Sequence, residues 1–232
     1  MKIGVIGAME KEIKTLVEGM EETGARERAG MLFHEGRIGS REVVVVRSGV
    51  GKVNAALCVQ ILCDVYGVTH LINTGAAGSL DNRINIGDVV ISTDAVHHDV
   101  DATIFGYSKG EVPQLGTVSF EADAAMRSLA ARAVRKAAPG IGVFEGRVAS
   151  GDQFVCTRGR KEEIRKDFGA LCTEMEGAAI AQGAFLNGVP FVIVRAISDK
   201  ADESISVDYE EFETKAAEHC AALVREMIRT ME

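Results

Sequence analysis

The stretch KIGVIGAMEKEIKTLVEGM, Lys2 to Met20, changes its period in the middle. Lys2–Ile6 is a short β-branched apolar run that ends at Gly7, and it reads as a strand. From Ala8 to Met20 the apolar residues Met9, Ile13, Leu16, Val17 and Met20 recur at helical spacing. A strand passed through a glycine directly into an amphipathic helix is the repeating unit of an α/β protein.

The same alternation continues outward. Met31–Ile38 and Glu42–Arg47 read as a hairpin around Gly39-Ser40, and Ser48-Gly49-Val50-Gly51 turns into a helix over Lys52–Tyr66. Val68–Asn73 reads as a buried strand stopped by Thr74-Gly75-Ala76-Ala77-Gly78. Asp88–Ser92 and Ala95–Asp101 are one long strand or two successive ones. Ala102–Gly116 has no period and holds Gly106, Gly110, Pro113 and Gly116, as a lid or an interface loop would. A helix over Glu121–Ala138, a strand over Ile141–Ser150 and a charged, solvated helix over Arg158–Asp167 follow. Then come a strand over Leu171–Met175, a helix over Gly177–Leu186 closed by Asn187-Gly188, a strand over Phe191–Ile197 and a long amphipathic helix over Tyr209–Met231. The expected fold is three-layer α/β/α, with a central twisted mixed sheet covered by helices on both faces. No repeat or low-complexity linker divides residues 1–232, so one domain is expected.

Composition excludes several functions. The chain of 232 residues carries a formal net charge of −8 and has no basic stripe, which argues against nucleic acid and anionic membranes. The first residues lack the apolar core of a secretory signal, and no apolar run approaches the ~20 residues of a membrane span. Five cysteines without a C-x-x-C pair fit neither a disulfide framework nor a zinc ribbon, and a cytoplasmic protein with reduced thiols is expected.

Two motifs fail or stay open. Gly51-Lys52 suggests a P-loop, but Val46 and Val53 stand where the motif needs Gly and Ser or Thr. In a strand, His97, Asp99 and Asp101 would share one face and could hold a metal, but the motif is short and unsupported elsewhere, so a polar strand end or a subunit contact is the favoured reading and no metal is expected.

In open α/β folds ligands sit at the carboxyl ends of the strands. Acids collect there in this chain: Glu10 and Glu12 after the first strand, Glu174 and Glu176 after Leu171–Met175, and Asp199 after the apolar Phe191–Ile197. One by one, each is equally readable as a helix cap or an acid complementing a helix dipole. Helix capping alone does not account for the whole set.

Six segments, in this order, resemble one family: Gly7-Ala8-Met9-Glu10-Lys11-Glu12, Ser48 to Ala56, Asn73 to Gly78, Ser150-Gly151-Asp152-Gln153-Phe154, Glu174 to Ala181 and Val194-Arg195-Ala196-Ile197-Ser198-Asp199. The family is the 5′-methylthioadenosine/S-adenosylhomocysteine nucleosidases of the nucleoside phosphorylase superfamily, and the similarity runs from Lys2 to the C-terminal helix. The resemblance implies hydrolysis of an adenine–ribose bond by a homodimer, with no metal or organic cofactor. It implies that Asp199 donates a proton or hydrogen bond to adenine N7 and that Ser198 holds its loop. Phe154 stacks on the base, and the Val155 backbone reads the base edge. Glu176 and the Met175 backbone bind the ribose hydroxyls, and Glu12 activates water, with Arg195 nearby. Met9, Val50, Phe105 and Tyr209 line the ribose and 5′-thio region, Pro113 closes the partner subunit's pocket, and Ala76, Gly78, Glu174 and Ala201 complete the substrate-binding set. The family often has Ser where Ala76 stands and Phe where Tyr209 stands.

The chemistry explains why such residues are needed. Adenine leaves poorly as an anion, so an acid must protonate it, while a carboxylate stabilises the cationic ribose and a base activates water on the opposite face. The competing readings are a phosphorylase or a futalosine-type nucleosidase of the same superfamily, a non-catalytic nucleoside-binding protein, and a structural α/β protein. Glu10 and Glu12 repel a phosphate dianion; Arg47 and Arg195 would attract one.

Overall fold

The computed structural model describes residues 1–200 and 209–231, with the side chains of the last helix described from Thr214 onward. Ala201 therefore lies outside the described residues, as does the side chain of Tyr209.

The strands are β1 (Lys2–Gly7), β2 (Glu21–Arg28), β3 (Met31–Ile38), β4 (Arg41–Arg47), β5 (His70–Ser79), β6 (Val89–His97), β7 (Phe120–Glu121), β8 (Val143–Ser150), β9 (Cys172–Glu174) and β10 (Phe191–Asp199). The helices are α1 (Glu10–Glu18), α2 (Lys52–Asp64), α3 (Ala124–Ala137), α4 (Arg158–Phe168), α5 (Gly177–Asn187) and α6 (Tyr209–Thr230). All strands join one mixed sheet in the order β10-β6-β8-β9-β5-β1-β4-β3-β2, with β7 on β6. An additional pairing of β10 with β5 curls one half of the sheet back on itself.

Burial by both layers is written into the strands. In β4, Val43 and Val45 enter one core and Val44 and Val46 the opposite one, because successive side chains alternate faces. β10 does the same, with Val192, Val194 and Ala196 on one side and Phe191, Ile193 and Ile197 on the other. Helices α1, α3 and α6 cover the first face; α2 and α5 cover the second. This is the three-layer arrangement expected from the sequence.

Four local expectations are corrected. The first helix starts at Glu10, with Met9 as its extended N-cap. β5 does not stop at Asn73 but runs through Thr74-Gly75-Ala76-Ala77-Gly78, which pairs with Arg195–Asp199 of β10. Small residues there leave space for large polar neighbours rather than ending the strand. β2 carries no apolar alternation and is exposed throughout, so no sequence pattern announces it; its pairing with β3 makes it a strand. β6 ends at His97, so His97, Asp99 and Asp101 never form a shared strand face. His97 instead bonds Gln182, and Asp99 pairs with Lys52 at 2.6 Å.

Candidate active site

The carboxyl ends of β1, β5, β9 and β10 converge on a cavity of about 220 Å³. Of the residues singled out in the sequence, Met9, Glu12, Val50, Ala76, Gly78, Phe154, Val155, Glu174, Met175, Glu176, Arg195, Ser198 and Asp199 line it. Ala8, Ala77, Gln153 and Thr173 also line it and were not singled out as site residues. Phe105 and Pro113 do not: Phe105 sits on a short 3-10 turn, Thr103–Phe105, and is 80% exposed.

Arg195 organises the wall. It occupies a central position of the otherwise apolar β10 and is fully buried. A buried guanidinium is tolerated only when it is paired and hydrogen-bonded. Here Nη2 donates to Asn73 Oδ1 at 2.6 Å and to Glu174 Oε2, and lies 3.5 Å from Glu176 Oε2. Nη1 donates to the Ala76 carbonyl and stands 3.9 Å from Glu12 Oε1. Burial alone would make Arg195 easier to deprotonate. The carboxylates of Glu174, Glu176 and Glu12 reverse this and hold its proton more tightly than usual. Asn73 and the Glu174 contacts were not foreseen, since they lie in segments far apart in sequence.

Glu12 is both cap and candidate base. Its Oε2 accepts from the backbone N–H of Ala8 at 2.6 Å and of Met9 at 2.9 Å, while Oε1 accepts from Ala76 N–H at 3.1 Å. An acid at the third helical position that reaches back to the N-cap N–H satisfies an orphan donor of the helix. Three donors fix its rotamer. Burial raises its proton affinity, against the opposing pull of Arg195 and these N–H groups. A side chain at Gly75 would collide with both Glu12 and Arg195, which explains the glycine in mid-strand.

Glu174 is held by the Gly177 N–H and the Ser150 hydroxyl, and Ser150 Oγ accepts in turn from Ala178 N–H. Glu176 accepts from Gly51 N–H at 2.9 Å, which ties the glycine-rich turn before α2 to the cavity. Its carboxyl is pushed up to about 7, first by burial and then by the Glu174 carboxylate, against Arg195 and the Gly51 N–H. A carboxyl whose pKa rises on folding stabilises the folded state fully below its ordinary value of 4.5 and loses that contribution as pH rises through about 7. Glu176→Gln is therefore expected to gain Tm relative to the parent between about pH 5 and pH 8. Thermal unfolding of both proteins across that range checks this, and a constant Tm difference would contradict it.

Asp199 follows a bulge in β10, where the register with β5 shifts between Ile197 and Asp199. Bulges re-aim side chains next to sites. The carboxylate lies over Gly78, where an added Cβ would be 2.9 Å from Oδ2, so a larger residue there would push the carboxylate aside. Ser198 Oγ donates to Oδ1 at 3.1 Å, and Lys161 Nζ donates to Oδ2 at 2.5 Å. Lys161 corrects the reading of α4 as a solvated helix. It is buried on the inward stripe with Ile164 and Phe168, and it also bonds the Lys200 carbonyl. The charge-rich sequence of α4 hides it, although the apolar positions 164 and 168 mark its face.

Arg47, at the end of β4, is not part of this cavity; it lies 3.9 Å from Glu10 in a neighbouring cleft. Among the described residues the cavity is thus lined by one guanidinium and four carboxyl groups, those of Glu12, Glu174, Glu176 and Asp199, and with the carboxyl groups ionised the balance is negative even with Lys161 paired behind Asp199. Such a wall repels a phosphate dianion and favours a developing cation.

The profile of the phosphorylase superfamily matches residues 2–229. A protein of Treponema pallidum (strain Nichols) named 5′-methylthioadenosine/S-adenosylhomocysteine nucleosidase is 43% identical, over all of this chain and 94% of its own. The crystal structure of the nucleosidase of that name from Neisseria meningitidis, in complex with methylthio-immucillin-A, superposes with a TM-score of 0.94 at 42% identity and 99% coverage of both chains. The futalosine hydrolase of Helicobacter pylori strain 26695 superposes with a TM-score of 0.93 at 33% identity, covering all of this chain and 98% of its own. With these matches spanning the whole length, and the acids and Arg195 gathered on one cavity, the chain belongs to the phosphorylase superfamily and, within it, to the 5′-methylthioadenosine/S-adenosylhomocysteine nucleosidases.

Proposed function

We propose that the protein hydrolyses the N-glycosidic bond of 5′-methylthioadenosine and S-adenosylhomocysteine, releasing adenine and the 5′-thio-substituted ribose. The observation that carries this reading is the state of Arg195. Its guanidinium is already engaged by Glu174, Asn73 and the Ala76 carbonyl, with Glu176 and Glu12 beside it. A phosphorylase needs a free cation for its dianion, and this arginine is committed.

Asp199 is the acid of the reaction. Asp199 is paired with Lys161 as a carboxylate in the free enzyme and takes up a proton from solvent as substrate binds; as the C1′–N9 bond lengthens, the electron pair moves into the purine and that proton moves from Asp199 to N7, so adenine leaves neutral. Lys161 and Ser198 hold the carboxyl toward the cavity. Phe154 offers a face to the base, and the Val155 backbone its edge contact. The ribose becomes oxocarbenium-like; Glu176, on its hydroxyls with the Met175 backbone, stabilises that charge. Glu12 removes a proton from water as its oxygen bonds C1′. Its rotamer is fixed by three N–H donors, and its raised proton affinity suits a base. Ala76 stands beside this carboxylate and adds no hydroxyl to it.

The working form is a homodimer. Phe105 is 80% exposed and Ile104 87% exposed, and both Phe105 and Pro113 lie off their own cavity. These residues fit a role in completing the pocket of a second copy. All five cysteines are free, which fits a cytoplasmic, reducing location.

The test is adenine release from methylthioadenosine in phosphate-free buffer and again with phosphate, alongside light scattering on the purified chain. Equal rates, free methylthioribose and a mass twice the 24.8 kDa of one chain are expected. A rate that needs phosphate and yields a sugar 1-phosphate makes the protein a phosphorylase. Adenine derived only from a futalosine-type nucleoside moves it to the neighbouring activity. A mass of one chain removes the dimer.

A further inference from the structure

The catalytic cavity is bordered at Met9 and Val50 by further concave surface. A second cleft, of about 310 Å³, shares Ala8, Met9 and Val50 with it. Among the described residues lining this cleft, only Glu10 and Arg47 carry a formal charge, with Arg47 Nε 3.9 Å from Glu10 Oε2. The sheet register sets this pair: Arg47 is the last residue of β4, directly beside Gly7 of β1, and Glu10 opens the helix that follows β1. Their side chains are 53% and 68% exposed, so the contact adds little to the stability of the fold. Glu10 also complements the dipole of α1, but nothing in the fold calls for Arg47 at this position.

Resting on the nucleosidase reading, we propose that Arg47 and Glu10 form a subsite for the amino-acid end of S-adenosylhomocysteine. That substrate carries a carboxylate and an ammonium on a single carbon, three single bonds beyond the sulfur. An anion and a cation 3.9 Å apart at the cleft form the complementary pair. The guanidinium takes the carboxylate through two parallel N–H donors, and the Glu10 carboxylate takes the ammonium. A methylthio group ends among the apolar side chains of Met9 and Val50 and gains nothing from either charge. An uncharged alkyl chain offers a partner to neither charge, and both side chains, more than half exposed, stay solvated beside it. The cleft therefore ranks the two substrates of one active site by a charge pattern remote from the bond that breaks.

The experiment compares kcat/KM for methylthioadenosine, S-adenosylhomocysteine and the uncharged 5′-butylthio analogue in the parent, Arg47→Gln and Glu10→Gln. The ratio of S-adenosylhomocysteine to methylthioadenosine is expected to fall about 2- to 5-fold in each variant, the range for solvent-exposed ion pairs. In the parent the same ratio is expected to fall as salt is raised. The butylthio ratio should stay at its parent value. An unchanged S-adenosylhomocysteine ratio in both variants overturns the proposal. So does an equal fall for the butylthio compound, which would mean that the cleft senses chain length rather than charge. If the parent releases no adenine from methylthioadenosine at all, the nucleosidase reading itself fails and the subsite falls with it.

Discussion

Asp199→Asn is expected to lower kcat for methylthioadenosine by about 10²–10⁴-fold, or roughly 3–5 kcal/mol of barrier. The amide keeps the shape of the carboxyl and its contact with Lys161, while the Ser198 hydroxyl must turn to accept from the new NH₂. Its oxygen can still accept from Lys161, and its NH₂ can still donate a hydrogen bond to N7. What it cannot do is give up a proton. Substrate binding is therefore preserved, and KM should move only a few-fold. The loss should depend on the leaving group. A 5-methylthioribosyl compound whose leaving group departs stably as an anion, such as 4-nitrophenolate, needs no protonation and should recover most of the lost rate. Steady-state kinetics on both substrates in both proteins test this. An Asn variant within tenfold of the parent on methylthioadenosine would remove Asp199 from the proton transfer. Equal losses on both substrates would assign it to positioning alone.

Glu12→Gln is expected to cost a similar factor in kcat, for a different reason and with a structural side effect. All three backbone groups around this carboxyl are N–H donors, from Ala8, Met9 and Ala76. Both oxygens of glutamate accept from them. Glutamine must turn its NH₂ toward at least one donor, so an N–H faces an N–H: that of Ala76 if the oxygen keeps Ala8 and Met9, or both of those, weakening the cap on α1, if it turns the other way. A lost cap costs about 1 kcal/mol, which shifts Tm by a few degrees in a chain of this size. It does not explain a loss of 10²-fold in turnover. Measured together, kcat and Tm separate the two effects. A large fall in kcat with a small fall in Tm supports the base role. A kcat loss that disappears at temperatures well below the lowered Tm would leave only the cap.

Much of this architecture is legible before folding. The β-branched runs of β1, β4 and β10 and the alternating β3 are bounded by turn residues, and the helices carry apolar residues at helical spacing. Such periodicities are local properties of the chain. The five acids at strand ends are visible for a similar reason: an acid immediately after an apolar run is conspicuous, and the carboxyl ends of strands are where an α/β sheet places its ligands. β2 has no such signal, because an edge strand exposed on both faces requires no apolar pattern. β5 reads as a shorter strand because Gly75, Ala76 and Gly78 look like a turn in sequence, whereas in space Gly75 and Gly78 are the clearance around Glu12, Arg195 and Asp199.

The sequence alone determined the layers, the order of the elements and the list of acids, since each depends on residues near one another along the chain. The pairing of those acids was decided only in three dimensions. Arg195 meets Glu174 21 residues earlier and Asn73 122 residues earlier. Lys161, on the buried stripe of a charge-rich helix, reaches Asp199 38 residues later. Glu12 receives its third donor from Ala76, 64 residues away. A buried charge is tolerable only where other segments bring it partners, and which segments meet is set by sheet order and register. The residue types could therefore be read from the chain, but their protonation and aim depend on the folded neighbourhood.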